Sequence, residues 1–553
     1  MITFFLFYFF VGISGLDFGV EWVSWPMGVC NVIPFAVGAG WTSPSSGAAA
    51  PVDTEGWPTG DAYTVLFDYA ASPYDPARVV PQSIWGVYTI FFKGKGDVQL
   101  YPGIGVIINS TFDPASFSTT AYVSLENATS STPGLVIGVY NSQRETGGAG
   151  FTSLQVLQPG CAKDGSFYTA RSMRALAPFH HTRVHEWSGT NTVPVSYPTV
   201  VHWEERRLAT DVFWESGVGG KPHAVGAAWE SVLTLSREAG NLSLWINVPV
   251  YASPDYCASL AALLRTGNTT LGIPGLNSPF LYIEHGNELW LNESNSPLNY
   301  AYNLAAAAGE VAAGGSPLNN DGATDPIVWA QRRHAARVRE IAQVFRAAFK
   351  GSSVEIRPVY AWMQSYTQDA QGALEWLEKT YGEGEASRAY FCVAVNGYRG
   401  PGVFPPGTPP LPPFSTPNDV LAALLSSSDA SRTARASSFA LASSFKLPLC
   451  SYEGSGWAQP DGANGFNGEG FNATMGAIVE LNRREGGAQQ QAYDVGEVWN
   501  SLGRLEALNF YALSSSYPLF YASSFGLTED IGNPEASLKY VGALSLIKEF
   551  GRM

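Results

Sequence analysis

From about residue 165 onward the chain alternates short β-rich apolar runs with amphipathic stretches of helical period, the pattern of parallel strands wrapped by helices. Seven runs read as strands: "HTRVHEW" (181–187), "LWINVPV" (244–250), "LYIEHGNE" (281–288), "VEIRPVYAW" (354–362), "YFCVAVNGY" (390–398), "LPLCSYEG" (447–454) and "LNFYALSS" (508–515). Between them, segments such as "YCASLAALLRT", "RRHAARVREIAQVFRAAF" and "DAQGALEWLEKTYG" repeat apolar residues at helical spacing. A closed barrel of this type needs eight strands. "LDFGVEWVSW" (16–25) has the same character and supplies the eighth. The expected fold is α/β, a (β/α)8 TIM barrel with an additional all-β, sandwich-like insertion or side domain.

That addition is read at 45–165, where "WGVYTIFFKGKGDVQLY" and "PGLVIGVYNSQRE" alternate apolar and polar residues between Gly, Pro, Ser and Thr turns. The expected division is a signal peptide at 1–15, the first barrel strand with its following loop at 16–44, the β-rich inserted module at 45–165 and the remainder of the barrel at 166–553. An independent N-terminal sandwich ahead of a later barrel is the alternative. The Pro-rich "PGVFPPGTPPLPPFSTP" (401–417) follows the sixth barrel strand, so it rises from the C-terminal face as a stiff rim or lid, or as a plain surface loop.

With 553 residues, 45% hydrophobic and only 14% charged, the chain is a folded globular protein with a sizeable core. Its net charge of −15 repels phosphate backbones and anionic membrane surfaces, so nucleic acid is not an expected partner. "MITFFLFYFFVGISG" (1–15) has the length of a signal-peptide apolar region but lacks a basic start. Six N-x-S/T acceptors, at Asn109, Asn127, Asn241, Asn268, Asn292 and Asn472, agree with secretion. After signal cleavage no stable membrane insertion is expected, and "SLIKEFGRM" is too polar for a lipid-anchor tail. Five widely spaced cysteines (Cys30, Cys161, Cys257, Cys392, Cys450), without a CxxC, support neither a disulfide framework nor a zinc site. Cys392 and Cys450 read as buried core thiols.

Two acids stand where barrel chemistry is done. Glu288 ends the fourth strand and Glu453, in "SYEGSGW", ends the seventh, so both reach the C-terminal mouth. An unpaired carboxylate leaving an apolar run is costly, and two that face each other across a barrel can act on opposite sides of one glycosidic bond. Taken singly, Asn287–Glu288 also fits a helix cap and Glu453–Gly454 an ordinary turn.

The arrangement resembles the clan A glycoside hydrolases, retaining (β/α)8 enzymes with an Asn-Glu pair ending strand four and a Glu ending strand seven. It is closer still to poorly characterised cellulase-like bacterial and algal proteins, through the ordered "TRVHEW", "LWINVP", "GNELW" and "SYEG". The likeness spans roughly residues 16–30 and 165–545. It implies a glycosidase acting by double displacement, with Glu288 as acid/base, Glu453 as nucleophile about 5–5.5 Å away, Asn287 on the sugar 2-hydroxyl, and no cofactor. It also implies that Arg183 keeps the nucleophile ionised and that Tyr398, in "NGYRG", hydrogen-bonds it.

Period-two alternation puts His181, Arg183 and His185 on one strand face. The two histidines lie about 13 Å apart along a strand, too far for one metal. His185 remains a substrate-side residue. Trp187, Trp290, Trp362 and Trp457 stand at strand ends or beside the acids, at the right height to stack on a sugar, although core packing accounts for aromatic residues equally well. Strand eight, read as ending in "SSSYPL", lacks the tryptophan that many clan members place under the scissile sugar. A carbohydrate-binding protein on a barrel that does not hydrolyse, and a structural cell-surface or wall protein, are the competing readings. The first predicts the same aromatic cleft with a Glu pair too far apart or salt-bridged away from it, and the second predicts no cleft at the C-terminal mouth.

Overall fold

The computed structural model describes residues 15–552 apart from 23–27, 37–39, 69–79, 101–104, 126–133, 215–222, 291–296, 403–406, 457, 462–467, 504, 516 and 518–523. Apart from Gly15, the expected signal peptide lies outside the described residues.

Eight parallel strands close into a barrel. In chain order they are strand one Asp17–Glu21, two His181–Arg183, three Ser243–Val248, four Phe280–His285, five Glu355–Trp362, six Cys392–Asn396, seven Leu449–Glu453 and eight Leu505–Phe510. Strand one closes the ring against strand eight, with Phe18 beside Leu508. All eight expected runs contain a strand, each trimmed or shifted at its ends, and strands two and eight show how. Strand two stops at Arg183 because the chain turns at His185, and strand eight ends at Phe510 rather than at 515.

Strands three and four are buried at every position, as parallel strands covered by helices outside and packed side chains inside must be. Within the ring, Trp245, Phe280 and Tyr282 from strands three and four fill the space left by Ala361, Cys392, Ala394, Cys450 and Ala507 on strands five to eight. The interior is a core rather than a pore. Strand one passes this core only as Gly19, since a Cβ there would collide with Asn509 and His181.

The outer helices start where the sequence provides caps. Ser253 accepts from the Tyr256 amide ahead of Pro254–Thr266, and Asp325 accepts from the Ile327 amide ahead of Pro326–Ala348, each with proline in the first turn. Thr416 and Asp419 form a capping box on Pro417–Ala430. Among the described residues, no helix is long and apolar enough to cross a membrane.

Between strands one and two the chain forms two antiparallel sheets. One joins Ala62–Asp68, Gly134–Gln143 and Lys95–Leu100, and the other joins Gly105–Asp113, Ser118–Leu125, Gly86–Lys93 and Thr152–Leu157. Phe67 of the first meets Tyr88 of the second at 6.4 Å between ring centroids. Asn31 bridges to Leu157 and Val29 to Tyr168, so the segment leaving the barrel and the segment returning to it run side by side. That closeness corrects the cysteine reading: Cys30 and Cys161 form a disulfide across a separation of 131 residues, a proximity that spacing in the sequence does not reveal. Cys257, Cys392 and Cys450 are free and buried.

The described part of the Pro-rich segment is pinned to the loop after strand seven. The Leu411 amide donates to Gln459 O at 2.8 Å, the Asp461 amide donates to Leu411 O at 2.7 Å, and Leu411 packs with Ala458 and Phe471.

Candidate active site

Strand four ends in a sharp turn. Gly286 has φ +65° and Glu288 has φ +50°, the left-handed region that a glutamate enters only at a cost on the order of 1 kcal/mol or more. The turn takes Glu288 off the strand axis, and its Oε1 accepts a hydrogen bond from the Tyr452 hydroxyl at 3.2 Å. The same hydroxyl accepts from Trp290 Nε1 at 3.2 Å.

Strand seven reaches the mouth by another device. Val395 pairs with Ser451 and Asn396 with Glu453, so Tyr452 is an extra residue in a β-bulge. Strict alternation would send Cys450 and Tyr452 inward and Glu453 outward; a bulge re-aims the following side chain. Consecutive residues therefore both serve the mouth, Tyr452 on Glu288 and Glu453 on Arg183.

Arg183 is the hub. Its Nε and Nη2 grip both oxygens of Glu284 at 3.0–3.1 Å, Nη2 also donates to Asn287 Oδ1 at 2.7 Å, and Nη1 reaches Glu453 Oε2 at 3.3 Å and Glu21 Oε2 at 3.5 Å. Arg183 is fully buried, and such a cation is tolerated only with partners of this number and geometry. Trp245 Nε1 donates to Glu284 Oε2 at 2.8 Å and fixes that carboxylate in turn.

His185 Nδ1 lies 2.9 Å from Glu21 Oε2 and 2.8 Å from Arg183 Nη1, and its Nε2 lies 3.1 Å from Glu186 Oε1. One nitrogen cannot accept from Arg183 and donate to Glu21 at once. Burial opposes the charged ring, but Glu21, with Glu186, outweighs it and raises the imidazole to about 10. Nδ1 therefore keeps its proton and gives it to Glu21, and its approach to Arg183 is a like-charge contact held by the carboxylates around it.

The two acids differ in their surroundings. Burial of the Glu288 carboxyl, reinforced by the charge of Glu453, pushes it up to about 8. Burial also raises Glu453, but Arg183 and His185 act against that rise. At neutral pH Glu288 therefore carries its proton.

Of the residues singled out from sequence, Arg183, His185, Asn287, Glu288, Trp290 and Glu453 come together here. Asn287 is already engaged, with Oδ1 on Arg183 and Nδ2 donating to Asn191 Oδ1 at 2.8 Å. Tyr398 borders the cluster: its phenol is raised by burial and by the charge of Glu453, and its ring lies 6.3 Å from Tyr511 and 5.9 Å from Phe525. Trp457 lies outside the described residues.

Trp187 and Trp362 do not join the site, which corrects the expectation that they stack on a sugar. Trp187 is fully buried, its ring against Phe35 and Trp22 and its Nε1 on Ser231 Oγ, because the chain turns away from the barrel after Arg183. Trp362 points to the helical layer, stacked on Tyr360 and His334 with Nε1 on Tyr366 O. His181 lies lower in the barrel between Trp245 and Tyr282, where burial lowers it to about 3.

Several participants escape the sequence reading, Glu186 and Asn191 among them. Glu284 and Glu21 sit inside strand-like runs, and the signal for Glu284 is its parity with Phe280 and Tyr282 on strand four. Tyr452 needs the bulge to be known. Tyr511 follows strand eight directly; its hydroxyl donates to Glu186 Oε1 at 3.3 Å and its ring lies 5.9 Å from His185. Strand eight thus ends in an aromatic residue after all, a tyrosine instead of the tryptophan sought further along.

No protein-family model and no curated protein matches the sequence. Solved structures do match. The chain is similar to an arabinose-bound GH51 α-L-arabinofuranosidase at 12% identity, over 96% of this chain and 80% of that one, with a TM-score of 0.45. It is similar to the GH51 arabinofuranosidase from Xanthomonas axonopodis pv. citri at 14% identity, over 64% and 62% of the two chains, with a TM-score of 0.34. A Bacteroidetes-affiliated GH5 cellulase matches at 12% identity, over 70% and 89%, with a TM-score of 0.29. These neighbours are glycoside hydrolases; at such identities and scores the chemistry of this chain rests on its own side chains.

Proposed function

We propose that the chain is a retaining glycoside hydrolase of clan A type that cleaves a poly- or oligosaccharide, with Glu288 as acid/base and Glu453 as nucleophile. The observation that carries this reading is the meeting of two acids from strands four and seven at one mouth, Glu288 under the Tyr452 hydroxyl and Glu453 against Arg183, with burial raising Glu288 to about 8. Retaining hydrolysis needs one carboxylic acid and one carboxylate flanking the bond.

In the first step a Glu453 oxygen attacks the anomeric carbon while Glu288 gives its proton to the departing glycosidic oxygen. The C–O bond to the leaving sugar breaks as the bond to Glu453 forms. In the second step Glu288, now ionised, takes a proton from water, whose oxygen displaces Glu453 and releases the sugar. Arg183 favours the ionised Glu453 that both starts and ends the cycle. Asn287 holds a sugar hydroxyl with the N–H it does not give to Asn191, and Trp290, Tyr398 and Tyr511 supply aromatic surface.

Export agrees with this reading. The Cys30–Cys161 disulfide suits an oxidising compartment, and the acceptors Asn109 and Asn241 are exposed.

The test is turnover of neutral and anionic polysaccharides and aryl glycosides by the intact chain and by Glu288→Gln and Glu453→Gln. Each variant should lose hydrolysis by at least about 10³-fold while keeping its circular dichroism and ligand binding. Undiminished turnover by Glu453→Gln refutes the nucleophile.

A further inference from the structure

The mouth of the barrel carries an excess of carboxyl groups. Glu21, Glu186, Glu284 and Glu453 converge there on two cations, Arg183 and His185, and Glu288 stands beside them on the Tyr452 hydroxyl. Neither cation is open to an incoming anion. The Arg183 N–H groups are spent on Glu284, Asn287 and Glu453, and both His185 nitrogens are spent on Glu21 and Glu186. Glu186 is the outermost of the carboxylates, with a side chain one-third exposed. Burial works against its charge, yet His185, Tyr511 and Asn191 hold it at about 2.

The loops that would touch a substrate repeat the bias. The segments that follow strands one, three, four, five, seven and eight, at 22–36, 249–253, 286–296, 363–366, 454–468 and 511–537, contain no Lys, Arg or His. They do contain Glu288, Glu293, Asp461, Glu529, Asp530 and Glu535, of which Glu529 is paired with Arg483 from the helix Glu469–Arg483. The loop after strand six has Arg399, which is buried on Asp494 and Gln490 O. The loop after strand two holds the remaining cations. Arg206 pairs with Glu230, Arg207 bonds Ala224 O, and His202 pairs with Asp255. His223 and Lys221 complete that set, and Lys221 lies outside the described residues.

Among the described residues, a sugar bearing a carboxylate or sulfate would meet this field with no cation left at the two acids to receive it, and like charge at close range in a desolvated site costs several kcal/mol. Resting on the glycosidase reading, we infer that the site selects glycans uncharged at the sugar held between Glu288 and Glu453, and rejects uronates and sulfated sugars there. Selectivity of this kind is built from repulsion and needs no contact specific to one neutral sugar.

The experiment starts from a panel of neutral glucans, mannans, xylans, galactans and arabinans beside polygalacturonate, alginate and sulfated galactan, each scored for reducing ends. The neutral glycan cut fastest is then compared with the same glycan oxidised at its primary hydroxyls to carboxylate, or with a glucuronoside where the sugar is a xyloside. The expected result is a kcat/KM lower for the carboxylated form by on the order of 100-fold. Glu186→Gln should narrow that ratio by about tenfold. Comparable rates on the two forms, cleavage confined to the anionic glycans, or a ratio that Glu186→Gln leaves unmoved each overturns the inference while leaving hydrolysis in place. Absence of cleavage across the whole panel instead overturns the glycosidase reading, and the inference with it.

Discussion

Arg183 holds Glu284 through both carboxylate oxygens at 3.0–3.1 Å but reaches Glu453 through a single contact of 3.3 Å. The cation is shared unequally, and the larger share goes to an acid that does no chemistry. The charge of Glu284 raises Glu453, against the lowering by Arg183 and His185. Glu284→Gln keeps the shape and removes that charge, so Glu453 becomes easier to ionise. The acidic limb of the kcat/KM profile should move to lower pH, while kcat falls by roughly tenfold to 100-fold as Arg183 loses its orientation. An acidic limb that stays in place, measured by initial rates across pH, would show that Glu284 only packs.

The basic limb belongs to Glu288. Activity should fall as pH rises through about 8, because the carboxyl that protonates the leaving oxygen is lost there. The Tyr452 hydrogen bond works in the lowering direction on Glu288. Tyr452→Phe should therefore shift the basic limb to higher pH and lower kcat, since the carboxyl also loses its orienting donor. A basic limb that moves down, or does not move, contradicts the assignment of Glu288 as the acid.

Much of this site was legible in the residues. Parallel strands buried on both faces read as short apolar runs, and Glu288 and Glu453 showed themselves by interrupting such runs at their ends. What stayed hidden depends on relations between strands. Glu284 is a polar residue inside an apolar run, and only the strand's inward parity marks it as lining the barrel. Tyr452 and Glu453 both serve the mouth because of a bulge, a feature of register against strand six that strand seven alone does not encode. Trp187 stands four residues beyond Arg183, and a strand continued through it would have brought it to the mouth; the turn at His185 buries it. Tyr511 is not marked as a strand end in the sequence, because "YALSS" extends the strand pattern past the true end at Phe510.

The disulfide closes a long excursion. Cys30 and Cys161 are 131 residues apart, and a cross-link over a loop of that size restricts the unfolded chain more than a short one does. Cys30→Ser with Cys161→Ser, or reduction of the native protein, should lower stability by about 2–4 kcal/mol and depress Tm in a thermal melt. Turnover at 25 °C should be nearly unchanged, because the bond joins the ends of the insertion and touches none of the mouth carboxylates. Equal melting of oxidised and reduced protein would mean that the insertion is held by its packing alone.

A second dependence on acidity is expected in stability, from a histidine pair behind strand four. His334 Nε2 donates to Ala361 O at 3.1 Å and its Nδ1 lies 3.3 Å from His285 Nδ1, a contact that is favourable when both rings are neutral and share one N–H between them. Burial lowers His334 to about 4 and lowers His285 as well, with each other's charge and the nearby Arg333 acting in the same direction on His285. An unfolded chain takes up these protons near pH 6.5 while the folded one resists them, so stability is full above about 6.5 and is lost as pH falls toward 4. His334 alone contributes a loss of about 3 kcal/mol over that window. Tm should therefore drop between pH 7 and pH 5, and His334→Gln, which can still donate to Ala361 O, should flatten the drop. A melting temperature that is level from pH 7 to pH 5, or a variant with the same slope as the native chain, would show that these rings are charged in the folded state.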